Sequence, residues 1–262
     1  MARAKRHYIP GQIWHITHRC HKRDFLLKLA KDRRRFLQWL FEAKRRYGLS
    51  ILNYAVTSNH IHLLVQDGKD RDVISNSIKL VAGRVAQEYN IRKNRKGAFW
   101  EDRYHATAVE TGQHLLRCIV YIDLNMVRTG AVTHPSEWAF CGYNEIQNPR
   151  KKNKLINYKK LAELTGFDDY ELFLSAHKEL VEDFLSNGNN FRKTQWTESI
   201  AVGSKDFLEE VKNELGLKVG GRRIVETEGT LQLREESRFY KHLFEDKKAD
   251  IGPENVFFWG IW

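Results

Sequence analysis

Cysteine is scarce in this chain of 262 residues: only Cys20, Cys118 and Cys141 are present. They are odd in number and far apart, which excludes a disulfide framework, and none has the close spacing of a zinc site. A reducing, cytoplasmic setting is the expectation. Long apolar runs are missing too. None approaches the ~20 residues a membrane helix needs, and the start, Met-Ala-Arg-Ala-Lys-Arg, has no signal-peptide apolar segment. Internal repeats are absent. Acidic residues are sparse in one region only. Residues 1–50 hold 14 Lys/Arg against 3 Asp/Glu, and the first hundred hold 22 against 7. The remaining 162 hold 22 against 26. That asymmetry suggests a polyanion-binding module with an appendage. Aromatics at Trp14, Phe25, Phe36, Trp39 and Tyr47 interleave the basic residues, which favours nucleic acid over a merely solvated basic surface.

What is present supports a folded protein, with 42% hydrophobic and 12% aromatic residues. A basic arm carrying Arg3, Lys5 and Arg6 ends at Pro10-Gly11. Residues 12–20 alternate as a strand, with Trp14, Ile16, His18 and Cys20 on one face and Ile13, His15, Thr17 and Arg19 on the other. His15, His18 and His21 are split between faces, so they are read as structural or as phosphate donors. Apolar residues at helical spacing predict helices over 31–47, 70–90 and 111–127. Strands are expected over 51–56 and 60–66, joined by a Ser58-Asn59 turn, and over 98–100 with 104–110.

The order strand, helix, strand, strand, helix, strand is the split β-α-β plan of a ferredoxin-like antiparallel sheet. The expected fold is therefore α+β, with both helices on one face and the other face open. Residues 1–150 would form the main domain and 151–262 a mostly helical accessory region, with helices over 158–165, 170–185 and 207–215. The aromatic terminus 256–262 would pack onto the protein.

Two features stand out as chemistry. His60 and His62 lie two apart in a strand, so both imidazoles project from one face, where they can hold a metal ion. Taken alone, a His-x-His pair is more often two packed or surface histidines. Tyr121 lies between Val120 and Ile122 with Asn125 four residues on, so both side chains point the same way on a helix. A lone tyrosine on a helix usually serves packing, and an exposed one facing an asparagine exceeds that need.

Three segments, Tyr54-Ala-Val-Thr-Ser-Asn-His-Ile-His-Leu-Leu-Val65, Gly97-Ala-Phe-Trp-Glu-Asp-Arg103 and Tyr121-Ile-Asp-Leu-Asn-Met-Val-Arg128, together resemble the single-tyrosine HUH transposases. The resemblance is nearest to the REP-associated tyrosine transposases, and the segment 8–19 and Pro135-Ser-Glu-Trp138 agree with it. It covers about residues 6–146. Two departures leave candidate ligands and nucleophile untouched: Asn-Met-Val-Arg-Thr stands where that branch usually has Asn-Pro-Val-Arg-Ala, and Thr57-Ser58 where it has Met-Pro.

The resemblance implies a metal-dependent single-stranded DNA endonuclease and strand transferase. Tyr121 would attack the scissile phosphate and leave a covalent 5′-phosphotyrosine. His60, His62 and Asn125 would hold a divalent ion, Mg2+ or Mn2+; Asn125 enters because the family places an amide or imidazole four residues after its tyrosine. Single-stranded DNA with palindromic hairpins would be the partner, with Arg3, Lys5, Arg6, Arg19, Lys22, Arg23 and Arg103 as candidate DNA contacts. A monomer is expected, with a dimer as the alternative. The competing readings are a catalytically silent DNA or RNA hairpin-binding protein and a metal phosphodiesterase using water.

Overall fold

A computed structural model describes residues 9–68, 70–187, 193–216, 222–227 and 229–235. The basic arm with Arg3, Lys5 and Arg6, and the aromatic terminus, lie outside the described residues. The first strand is β1 (Ile13–Arg19), followed by helix α1 (Ala30–Tyr47), strands β2 (Ser50–Val56) and β3 (His60–Gln66), helix α2 (Asp72–Arg92) and strand β4 (His105–Val109). Helix α1 stops where the chain must turn left-handed: Gly48 has φ 71° and its N–H returns to the Lys44 carbonyl. Lys44, Arg45 and Arg46 occupy the last turn, where the helix dipole favours cations.

The β2–β3 connection is held by its own side chains, because Thr57 Oγ1 accepts from the Asn59 and His60 N–H groups. Strand β3 then pairs antiparallel with β2 on one side and β1 on the other, and β1 pairs antiparallel with β4. The order β2-β3-β1-β4 is the ferredoxin-like sheet read from the sequence.

Helix α3 (Gln113–Asp123) and the one-turn helix α4 (Asn125–Arg128) replace the single helix expected over 111–127. The break falls at Leu124, yet the Leu124 N–H still reaches Val120 and the Arg128 N–H reaches Leu124. After α5 (Tyr143–Gln147), the tail adds α6 (Tyr158–Thr165), α7 (Tyr170–Ser186), α8 (Gln195–Glu198), β5 (Ala201–Val202), α9 (Lys205–Leu215), β6 (Arg222–Thr227) and β7 (Thr230–Glu235). Side chains cap three of these helices: Asn157 accepts from Lys160 N, Asp169 from Leu172 N, and Ser204 from Phe207 N.

The sequence reading did not anticipate the tail strands. Strand β5 pairs parallel with β4, then β7 and β6 follow antiparallel, so one seven-stranded sheet runs in the order β2-β3-β1-β4-β5-β7-β6.

Helices α1 and α2 cover the face of β1 that carries His18. The His18 ring stacks on Trp100, whose indole meets Phe36 of α1 and donates to the Ala82 carbonyl of α2. The opposite face carries His15 and His62, and here the expectation of an open face is corrected. Helix α3 packs against β2 and α8 against β1 and β4. Their apolar residues, among them Leu115, Ile119, Ile122 and Trp196, are buried, because a two-sided apolar sheet must cover both faces.

Candidate active site

His60 and His62 project from β3 toward the face that α3 covers, with ring centroids 4.9 Å apart. Opposite His60 across the pairing with β1 stands Arg19, and opposite His62 stands Thr17. Two residues further back on the same face, His15 reaches diagonally, and its Nε2 lies 2.9 Å from His62 Nδ1. On its other side His15 Nδ1 lies 2.7 Å from the main-chain carbonyl of Trp196. From α4, Asn125 Nδ2 comes within 2.9 Å of His62 Nε2, while Asn125 Oδ1 is buried without a hydrogen-bond partner.

Tyr121 completes the group. Its ring centroid is 6.1 Å from both His62 and His15 and 6.2 Å from Trp196. The Arg128 guanidinium lies 4.1 Å over the tyrosine ring, and its Nη2 donates to the Tyr121 carbonyl. The structure therefore brings His60, His62, Tyr121 and Asn125 together from three chain segments.

The tyrosine is not exposed as expected: its relative accessibility is 7%, with Asn125 at 7% and His62 at 2%. Trp196 of the tail covers it. A cleft of about 280 Å³ still opens on Tyr121, and Arg117, Arg128 and Lys193 line it together with Phe184 and Trp196.

Burial sets the charge state of the inner histidines. His15 is fully buried, so desolvation of the charged ring lowers its pKa from 6.5 to about 3. His62 is pushed well below 6.5, chiefly by burial and further by His60, His15, Arg128 and Arg19. Both are neutral at pH 7, the state that can ligate a cation. Arg128 is also lowered by burial, which its contact with Tyr121 opposes.

The nearer histidine is oriented by hydrogen bonds. Asn59 Nδ2 donates to the Arg23 carbonyl, which leaves Asn59 Oδ1 to accept from His60 Nδ1 at 2.7 Å. In the neutral ring the lone pair then sits on Nε2. Among the described residues no group of three His, Cys, Asp or Glu converges for a metal. The buried Asn125 Oδ1, without a hydrogen-bond partner, is an oxygen donor of the kind that can join imidazoles around a cation.

Among the described residues, the candidate DNA contacts gather at one rim. Arg19 ends β1 opposite His60, and its guanidinium lies 3.9 Å from Glu101. Lys22 and Arg23 follow in a tight turn with positive φ, and both are exposed. The 98–103 segment docks beside them through His21 N to Phe99 O and Glu101 N to Arg19 O, and Arg103 is exposed there. His18 Nε2 bonds the Asp102 carbonyl, so it has a structural place on the other face.

Sequence reasoning missed His15 and Trp196. His15 already stood on the correct face of its strand, but only the β1–β3 register brings it to His62. For Trp196 no local signal exists, since its position depends on the tail's return to the sheet edge.

Residues 9–125 match the family model described as transposase IS200 like. The chain matches none of the curated proteins. Among solved structures, it is similar to a REP-associated tyrosine transposase bound to a REP hairpin. Identity there is 22% and TM-score 0.47, covering 55% of this chain and 84% of that one. It is also similar to a putative transposase from Deinococcus radiodurans R1, with 17% identity and TM-score 0.33, covering 42% of this chain and 87% of that one.

Proposed function

We propose, from the premise that residues 9–125 belong to the IS200-like transposase family, that this chain is a single-tyrosine DNA strand transferase of the REP-associated branch. It would cut single-stranded DNA beside a palindromic hairpin, with Tyr121 as the nucleophile. The observation that carries this reading is the convergence of His60, Asn125 and the Tyr121 ring on His62.

Two histidines, the inner one neutral by burial, and an amide oxygen without a partner are a suitable donor set for a divalent cation. His60 and His62 would supply nitrogen and Asn125 oxygen. Manganese suits such a mixed set better than magnesium, which prefers oxygen. When bound, the ion would polarise the scissile phosphate and offset its developing charge.

The chain's own groups do the rest. Tyr121 Oη forms the new bond to phosphorus as the bond from phosphorus to the 3′-oxygen breaks. The electron pair leaves with that oxygen, which takes up a proton, while the phenol gives one up. The unperturbed phenol pKa is about 10, so the proton must leave during attack. Arg128, 4.1 Å over the ring, counters the negative charge that then builds on the phenol oxygen.

One phosphodiester is exchanged for another, so the 5′-phosphotyrosine keeps the energy needed for a 3′-hydroxyl from a second strand to rejoin DNA. The rim of Arg19, Lys22, Arg23 and Arg103 would hold the phosphate backbone. Nucleophile and ligands come from one chain, so a monomer can complete the site.

The test is cleavage of hairpin-containing single-stranded DNA with Mn2+ by wild type, Tyr121→Phe and His62→Ala. Wild type should cut and form a protein–DNA adduct, Tyr121→Phe should form none, and His62→Ala should not cut. Adduct from Tyr121→Phe removes the nucleophile assignment, and wild-type cutting by His62→Ala removes the metal site. Metal-dependent products without an adduct would indicate hydrolysis by water, and binding without cutting a silent hairpin-binding protein.

A further inference from the structure

We propose that His15 is a positioning residue that fixes which ring nitrogen of His62 carries the hydrogen, through a hydrogen-bond chain starting at the Trp196 carbonyl in the tail. The consequence for the metal rests on the site reading above; the chain itself belongs to the metal-free protein.

The direction of each hydrogen bond follows from the first. A main-chain carbonyl only accepts, so His15 Nδ1, 2.7 Å from Trp196 O, must carry a hydrogen. The His15 ring is fully buried, with cationic Arg128 and the imidazole of His105 as its charged or titratable neighbours on adjoining elements. A neutral imidazole has one N–H, which leaves a lone pair on His15 Nε2. His62 Nδ1, 2.9 Å away, must then donate, and the His62 lone pair falls on Nε2. Asn125 Nδ2 lies 2.9 Å from that atom and donates to it, which turns Asn125 Oδ1 away and accounts for its lack of a partner.

The opposite polarity would satisfy Oδ1, but it fails at the start of the chain. A neutral His15 protonated on Nε2 would set its Nδ1 lone pair 2.7 Å from the Trp196 carbonyl oxygen, two acceptors in contact within a buried site. Geometry supports the same pairing: the His15 and His62 rings lie 16° apart in plane, centroids 5.1 Å apart. The carbonyl is itself held firmly. The Trp196 side chain is buried against Tyr121, and the next turn is tied to β4 where Thr107 Oγ1 donates to the Ser199 carbonyl at 2.7 Å.

The tail therefore sets the chemistry of a residue 134 positions earlier in the sequence. His62 Nε2 is prepared for a cation without a proton shift, and among the described residues the hydrogen-bonded group to displace from it is the Asn125 amide. Turning that amide about its last bond would exchange its NH2 for Oδ1, so the side chain that caps the lone pair becomes a ligand. A hydrogen bond to the other ring nitrogen of a ligating histidine commonly tunes metal affinity 10–100-fold.

The experiment uses the full chain labelled with 15N, first without metal. Imidazole 15N spectra should place the His62 hydrogen on Nδ1 in wild type. Mn2+ titration by calorimetry or EPR should show His15→Phe binding roughly 10–100-fold more weakly. His15→Gln, whose Oε1 can accept from His62 Nδ1–H, should recover most of that affinity. A hydrogen on His62 Nε2 in wild type overturns the proposal, as does wild-type Mn2+ affinity in His15→Phe. If His15→Phe does not fold, the wild-type spectrum decides. If His62→Ala binds Mn2+ as wild type does, the metal-site reading fails, while the spectrum still judges the hydrogen-bond chain.

Discussion

Acid should unfold this protein through its buried histidines, and His15 allows the size of the effect to be worked out. Its folded pKa is about 3 against 6.5 in the open chain, so between those values the unfolded state binds a proton that the folded state refuses. Stability contributed this way is complete above about pH 6.5 and is lost as pH falls toward 3. From pH 7 to pH 5 the loss from His15 alone is about 2 kcal/mol, from about 1.4 kcal/mol for each pH unit below 6.5. His62, also pushed down by burial, loses stability in the same direction. A glutamine at position 15 does not titrate. Urea unfolding of wild type and His15→Gln at pH 7 and pH 5 should show the variant losing about 2 kcal/mol less over that interval. In melting temperature this is a difference of roughly 4–8 °C for a chain of this size. Equal losses in the two proteins would refute the claim that His15 is held neutral in the folded site.

Three further outcomes follow from the packing around the tyrosine. A Cβ on Gly142 would stand 2.0 Å from Asn53 Oδ1, and Asn53 is tied to Asp123 and to the Ile119 carbonyl. Gly142→Ala should therefore cost about 2–3 kcal/mol in urea unfolding, and an unchanged midpoint would contradict that placement. Asp123 is buried and accepts from His177 Nε2 at 2.8 Å, so His177→Leu, which leaves that carboxylate oxygen without its partner, should lose roughly 2–3 kcal/mol by the same assay. Trp196→Ala should cost roughly 3–5 kcal/mol and speed nitration of Tyr121 by tetranitromethane in the folded protein; an unchanged rate would mean that the indole does not shield the phenol.

Much of the first 130 residues was legible because their elements announce themselves locally. The Phe36 and Leu40 stripe of α1, the Gly48 stop and the alternation around His60 each encode an element without outside help. The order of those elements limits the sheet to few arrangements, and the ferredoxin-like one formed. What escaped depends on contacts between distant segments. The two residues of β5, Ala201 and Val202, are too short for periodicity to register, and they are a strand only because β4 and β7 flank them. Leu124 interrupts the tyrosine helix although the apolar stripe continues through it, so the pattern predicts one helix where two meet. His15 looked structural because face assignment does not reveal which strand lies next door. Tyr121 was expected to be exposed, since nothing near it in sequence signals that Trp196 returns to cover it.

The covalent intermediate is the most direct test of the central claim. Wild-type protein would be incubated with Mn2+ and a hairpin-bearing single strand, digested with trypsin and nuclease, and mapped by tandem mass spectrometry. A 5′-linked nucleotide is expected on Tyr121 and on no other residue, with a free 3′-hydroxyl on the released strand. A nucleotide on Tyr104 or Tyr143, or cleavage that leaves every tyrosine unmodified, would contradict it.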